Sequence, residues 1–331
     1  MKGKRVLWAA TLFFCLLAGA PLLFASVRGM QPEQRESSDS VSEIFFSTAE
    51  RGTPLQMRDL LKNGVDVDER DEEGNTALIL ASAANRNPEM IRVLVEAQAD
   101  VNARNKDALN PMMAAAERNM NPAIVTELAK AGARVDDRGT AQTTPLLSSI
   151  FVNPNPAVAL ELIRLGADVN LPNKDGTTPL MAACFENRGP EIVEALLRAK
   201  ANVNVKNAIG VTALMFAVGT SEGLESVQLL LTSGADVSVG NVRGQTALHY
   251  AAAAGSGAEI IKLLLDSGAD VNATRDDGKT PLMMAARRGV SAETVHLLRE
   301  AGANVAAKDK EGQTALDIAR TAKRGDASLY E

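Results

Sequence analysis

Few side chains in this 331-residue chain have types suited to covalent or metal chemistry: two histidines, His249 and His296, and two cysteines, Cys15 and Cys184. The histidines fall in different segments, and neither has a serine and a carboxylate at a triad-like spacing. Tyr250, beside His249, likewise lacks such a carboxylate. There is no Cys/His cluster at metal-ligand spacing and no glycine-rich phosphate loop. Cys15 lies in an N-terminal apolar run and would not meet Cys184 in a folded domain, so no disulfide framework is possible. Cys184 follows Ala183 in a run of small residues and reads as a core side chain, with a reactive thiol as the alternative. The expectation is a non-enzymatic protein without cofactor or metal.

Composition points the same way. Hydrophobic residues make up 46% of the chain but aromatics only 3%, so a core must come from Leu, Val, Ile, Met and Ala. Such side chains on helices suit thin stacked layers better than a deep globular interior. A net charge of −6 argues against nucleic acid as the main partner, because phosphate binding needs a basic face.

The elements that position these residues repeat. Thr76-Ala77-Leu78, Asn110-Pro111-Met112, Thr144-Pro145-Leu146, Thr178-Pro179-Leu180, Thr212-Ala213-Leu214, Thr246-Ala247-Leu248, Thr280-Pro281-Leu282 and Thr314-Ala315-Leu316 follow one another in steps of 34 residues. One step further back stands Ser42, expected to open a diverged first repeat. Thr, Asn or Ser caps a first helix, and Pro or Ala fills its first position, where a missing N–H does no harm. A second helix is announced by Asn87-Pro88, Asn121-Pro122, Asn155-Pro156 and Gly189-Pro190. It carries the leucine column Leu60, Leu94, Leu128, Leu162, Leu196, Leu230, Leu264 and Leu298. Helix ends fall at Gly64, Gly132, Gly166, Gly234, Gly268 and Gly302; Gln98 and Lys200 fill that slot elsewhere and should be strained. An Ala-Asp-Val-Asn turn leads to a polar tip with Gly74, Gly176, Gly210, Gly244, Gly278 or Gly312.

The T-P-L-x-x-A phrase, the second-helix Leu-Leu and the G-A-D-V-N turn closely resemble the ankyrin repeat, over residues 42 to about 323. The resemblance implies an all-α solenoid of helix-turn-helix units with hairpin-like finger loops, starting near 42, 76, 110, 144, 178, 212, 246 and 280, with a partial unit at 314. It departs from the family in three ways. The period is 34 instead of 33, with the extra residue around 85–87 and its equivalents. The family's histidine after T-P-L appears only at His249. Ala108 and Gln142 replace the tip glycine, so those two fingers should be altered. The last unit lacks a complete second helix and ends in a short polar tail, 324–331, with Asp317, Arg320, Lys323 and Arg324 as a polar outer face.

At the N-terminus, Lys2, Lys4 and Arg5 precede an uncharged apolar run from 6 to about 25, the pattern of an export segment. Its length suits either a cleaved signal peptide or an uncleaved membrane anchor. Both put residues 42–331 outside the cytoplasm, behind a flexible linker at 26–41. The chain is thus similar to exported bacterial ankyrin proteins, some of which support oxidative-stress enzymes. The expectation is a periplasmic or membrane-anchored scaffold, a monomeric array that binds another protein and meets the membrane only through its N-terminal segment. A secreted effector binding host proteins and a self-assembling structural solenoid are the alternatives.

The family binds partners through its fingers and first helices. In the first helix one position reads Ala83, Glu117, Phe151, Phe185, Gly219, Ala253, Arg287 and Thr321; it is not held apolar and should face outward. Phe151 and Phe185 would be exposed anchors there, or would fold back over the inter-helix loop beside Pro156 and Pro190. Glu117 and Arg287, with the finger-tip cations Lys174 and Arg243, complete the candidate contact set. Met113, Met181, Met215 and Met283 follow the core-lining phrase and read as packing.

Overall fold

The computed structural model describes residues 39–331 apart from 187, 221 and 222. The export segment at 1–25 and nearly all of the linker at 26–41 lie outside the described residues. Val41–Glu331 forms one compact unit. Among the described residues there are seventeen α-helices and no strand, and no helix is long and apolar enough to cross a membrane.

The helices come in pairs: α1 (Asp39–Arg51) with α2 (Pro54–Lys62), α3 (Ala77–Ala84) with α4 (Pro88–Glu96), and α5 (Pro111–Arg118) with α6 (Ala123–Lys130). Next come α7 (Pro145–Val152) with α8 (Pro156–Arg164), α9 (Pro179–Glu186) with α10 (Pro190–Arg198), and α11 (Ala213–Ala217) with α12 (Leu224–Thr232). The series continues with α13 (Ala247–Ala254) and α14 (Ala258–Asp266), α15 (Pro281–Arg288) and α16 (Ala292–Glu300), and ends in α17 (Ala315–Ala322). Consecutive first helices pack on one another from α3 to α17, and consecutive second helices from α2 to α16. The result is an all-α repeat solenoid.

Local chemistry explains the register. Thr76, Thr144, Thr178, Thr212, Thr280 and Thr314 each accept the N–H three residues on at 3.3–3.4 Å, and Asn110 accepts that of Met113 at 2.8 Å. Ser42 is an exception. Helix α1 begins at Asp39, so Ser42 sits inside it and its hydroxyl hydrogen-bonds the Glu69 carboxylate. The leucine column is fully buried from Leu94 to Leu298, whereas Leu60, in the first repeat, is only partly covered. Each fully buried leucine contributes about 1.5–3 kcal/mol. Met113, Met181, Met215 and Met283 are buried in the same core.

Three of the inter-helix turns are closed by a buried asparagine. Asn85, Asn119 and Asn153 end three first helices, and all are buried. Each turns its side-chain amide into the preceding repeat. Asn119 Nδ2 donates to the carbonyls of Ser82 and Asn85, both at 2.9 Å. Asn153 does the same to Ala116 and Asn119, and Asn85 to Ala49 and Gly52. The Oδ1 atoms accept the N–H two residues on, so the amide is satisfied on both sides. Asn87, Asn121 and Asn155 then cap the second helices as their Asn-Pro pairs predict.

The C-terminal tail differs from its polar appearance. Residues Ala327–Tyr330 form a 3-10 turn that packs on α16 and α17, with Tyr330 buried and Ala327 and Leu329 against the core. Arg299 Nη1 holds the Leu329 carbonyl at 2.9 Å. This short turn covers apolar surface that a second helix covers elsewhere.

Candidate binding groove

The finger loops and first helices form one face of the array. Most fingers are built on an Asp or Asn whose Oδ1 accepts two backbone N–H groups, two and four residues on. Asp71, Asn105, Asn173, Asn207, Asn241 and Asp309 all do this at 2.7–3.1 Å. Successive fingers are tied by a backbone bond, as from Ala208 N–H to the Asp175 carbonyl (2.9 Å) and Val242 N–H to that of Ile209 (3.1 Å).

The two tip substitutions have unequal effects. Ala108 takes the left-handed conformation of the absent glycine (φ +61°) and the turn on Asn105 survives. The finger before Thr144 is rebuilt. It has Gly139 in place of the Asn or Asp, a 3-10 turn over Thr140–Gln142, and both Ala141 and Gln142 left-handed. There the Thr140 hydroxyl, not a backbone N–H, reaches the Asp107 carbonyl (3.1 Å).

First-helix side chains line the other edge of the groove. Tyr250 shows how the edges meet: its hydroxyl accepts from Asn241 Nδ2 at 2.9 Å, so this helix position lies over the base of its finger. Phe216 holds the same position one repeat earlier.

Among the candidates, Phe185 is 41% exposed, while Phe151 is half-buried and packs against the core. The ring contact of Phe185 is with Phe216, edge-on with centroids 5.4 Å apart, rather than with Phe151. Glu117 is half-buried at the end of α5, accepting from Ser148 Oγ at 3.2 Å; burial pushes its carboxyl above the usual range. Lys174 and Arg243 stand exposed on finger tips, and Arg287 is exposed at the end of α15. The structure therefore brings Phe185, Lys174, Arg243 and Arg287 to accessible groove positions and leaves Phe151 and Glu117 partly covered.

Further exposed apolar residues on this face escaped the sequence reading: Ile209 (49% exposed) and Val242 (66%) on finger tips, and Val152 (58%) at the end of α7. For the two tip residues a signal was present. Other tips carry charged residues in these columns, Glu73, Asp107, Asp175 and Arg243 against Ile209, and Glu72, Lys106, Lys174, Asp276 and Lys310 against Val242.

The residues with chemistry-bearing side chains are committed elsewhere. Cys184 is buried and desolvation pushes its thiol up to about 12, as befits a packing residue. His249 is buried; Nδ1 accepts the Thr246 N–H (3.2 Å) and Nε2 faces the Lys279 carbonyl (3.1 Å). His296 is exposed on a second helix.

The outer face of the second helices is covered with ion pairs. Arg58 meets Glu89 (2.8 Å), Arg92 meets Glu89 (2.9 Å) and Glu127 (2.8 Å), and Arg164 meets Glu161 (2.6 Å). The fingers hold ion pairs too, as between Arg275 and Asp277 (2.9 Å), but the groove face also exposes Phe185, Ile209 and Val242 and the cations Lys174, Arg243 and Arg287, which are in no ion pair among the described residues.

No curated protein matches the chain. The family model for ankyrin repeats, three copies, matches residues 45–139, 146–241, 186–275, 214–309 and 248–327. Ankyrin repeats generally mediate protein–protein interaction, and their fold is typically a non-catalytic binding scaffold. With caps, leucine column and fingers all in register over these residues, the chain belongs to the ankyrin-repeat family.

Proposed function

We propose that this array binds another protein along its finger and first-helix groove, and that it does so outside the cytoplasm as a single-chain adaptor. The observation that carries the first part is the accessible apolar stretch Phe185, Ile209 and Val242, in a face whose opposite side is occupied by ion pairs. Clustered exposed apolar side chains mark protein-interaction surfaces, and aromatic and arginine side chains such as Phe185 and Arg243 are the kinds enriched at interfaces. A photoreactive side chain placed at 209 or 242 in the producing cell should crosslink to a partner protein, and one placed at 198 on the second-helix face should not. Crosslinking from 198 alone would overturn the groove reading.

The location is supported by Lys2, Lys4 and Arg5 ahead of the apolar run. Fractionation with N-terminal sequencing checks it. The expected result is a chain starting at Pro21 or Ser26, or an intact chain in the membrane fraction exposed to external protease. An intact chain in the cytoplasmic fraction would count against export.

A further inference from the structure

We infer that the groove segment from the Lys174 finger to α15 takes an acidic partner segment with large apolar side chains. This rests on the groove being the binding face and goes further by naming the chemistry of what fills it. Three observations converge. First, the exposed apolar side chains fall in adjacent repeats: Phe185 touches Phe216 ring to ring, and Ile209 and Val242 sit on fingers joined by a backbone hydrogen bond. Second, cations frame them. Lys174, Arg243 and Arg287 are exposed, and none is in an ion pair among the described residues. Arg288, beside Arg287, is also exposed, with its Nε on the Ala254 carbonyl (3.2 Å).

Third, the acids in this stretch are largely committed. Asp277 pairs with Arg275 (2.9 Å) and Lys279 (3.2 Å), and Asp175 and Glu186 are half-buried. Asp276 is the exposed acid on these fingers. The exposed charges at these finger tips and first-helix ends are therefore four cations, Lys174, Arg243, Arg287 and Arg288, against one acid, in a chain whose total charge is −6. The opposite end of the same groove is different, with Glu72, Glu73 and Asp107 exposed on the first two fingers against a single cation, Lys106. A partner segment that follows the fingers meets mostly acid first, then apolar surface framed by base. Its own acidic residues belong over Arg243 and Arg287, where unlike charges attract and like charges would be left facing each other.

The test is selection of a random 16-residue phage-displayed peptide library on the full chain, followed by fluorescence anisotropy of the enriched peptides. Enriched sequences should combine Asp or Glu with Leu, Ile, Phe or Trp. Lys174→Glu/Arg243→Glu/Arg287→Glu should weaken them at least tenfold, the Gln versions should weaken them less, and Glu72→Lys/Glu73→Lys should leave affinity within twofold. Affinity should also fall as salt rises. Basic or neutral enriched peptides, or no enrichment, would overturn the proposal, as would indifference to the charge-reversal variant. If peptides of other charge still lose binding to Ile209→Ser/Val242→Ser, the groove survives and only the acidic chemistry falls. Peptides indifferent to both variants would sink the groove reading as well. All substituted side chains are exposed, and circular dichroism confirms that each variant is folded.

Discussion

His249 stands where four other repeats carry buried methionine, and its imidazole links two units. It accepts the Thr246 N–H and reaches the Lys279 carbonyl at the base of the next finger. Burial holds it below the usual histidine range, with Arg275 acting in the same direction. The unfolded chain therefore takes up a proton that the folded one refuses. Stability contributed by this site is complete above about pH 6.5 and is lost as pH falls below it, by up to about 1.4 kcal/mol per pH unit. Urea titrations at pH 7.5, 6.5 and 5.5 should show that slope, and His249→Met should flatten it. Equal slopes in the two proteins would mean that other groups titrate. A second residue-scale effect concerns Gln98 and Lys200, which end helices α4 and α10 at φ +69°. At the equivalent glycines, a Cβ would meet nothing within 4 Å, so conformation alone is strained. Left-handed backbone costs a non-glycine residue about 1–2 kcal/mol, partly offset by the greater unfolded freedom of glycine. Gln98→Gly and Lys200→Gly should each raise the unfolding free energy by about 0.5–1 kcal/mol, read from the urea midpoint.

At the scale of the element, the inter-helix turn decides how neighbouring repeats are joined. The buried asparagines replace the αL glycine that ends helices α13 and α15 at Gly255 and Gly289. Asn119→Ala would leave two buried carbonyls of the preceding repeat, Ser82 and Asn85, without their side-chain donor, at a cost of about 2–3 kcal/mol. Asn119→Asp should cost more, since an acceptor would then face two acceptors. Chemical denaturation measures both, and a loss below about 0.5 kcal/mol for Asn119→Ala would show that water replaces the amide.

Stability over the whole array is shared between neighbouring repeats, so its ends are the weak points. The C-terminal end is closed by the turn holding Tyr330. Deleting 327–331 would bare apolar surface on α16 and α17. The expected outcome is early fraying of α17 in hydrogen exchange, with the central repeats unchanged. Uniform loss of protection along the array would instead show that it unfolds as one cooperative unit. The ion pairs on the second-helix face are mostly exposed and contribute little individually.

Much of this is legible in the sequence. Capping threonines, Asn-Pro starts, the leucine column and glycine stops are local signals, each acting within a few residues, and a 34-residue period multiplies them. The solenoid and its finger spacing follow from that pattern alone. Long-range partners were not legible. That Asn119 reaches into the preceding repeat, that Tyr330 folds back over α17, and that Phe185 meets Phe216 rather than Phe151 depend on how one repeat is placed against the next. A periodic sequence determines which residues share a column; only the stacked structure decides which side chains of adjacent columns touch, because burial and hydrogen bonding across repeats arise from packing and not from spacing.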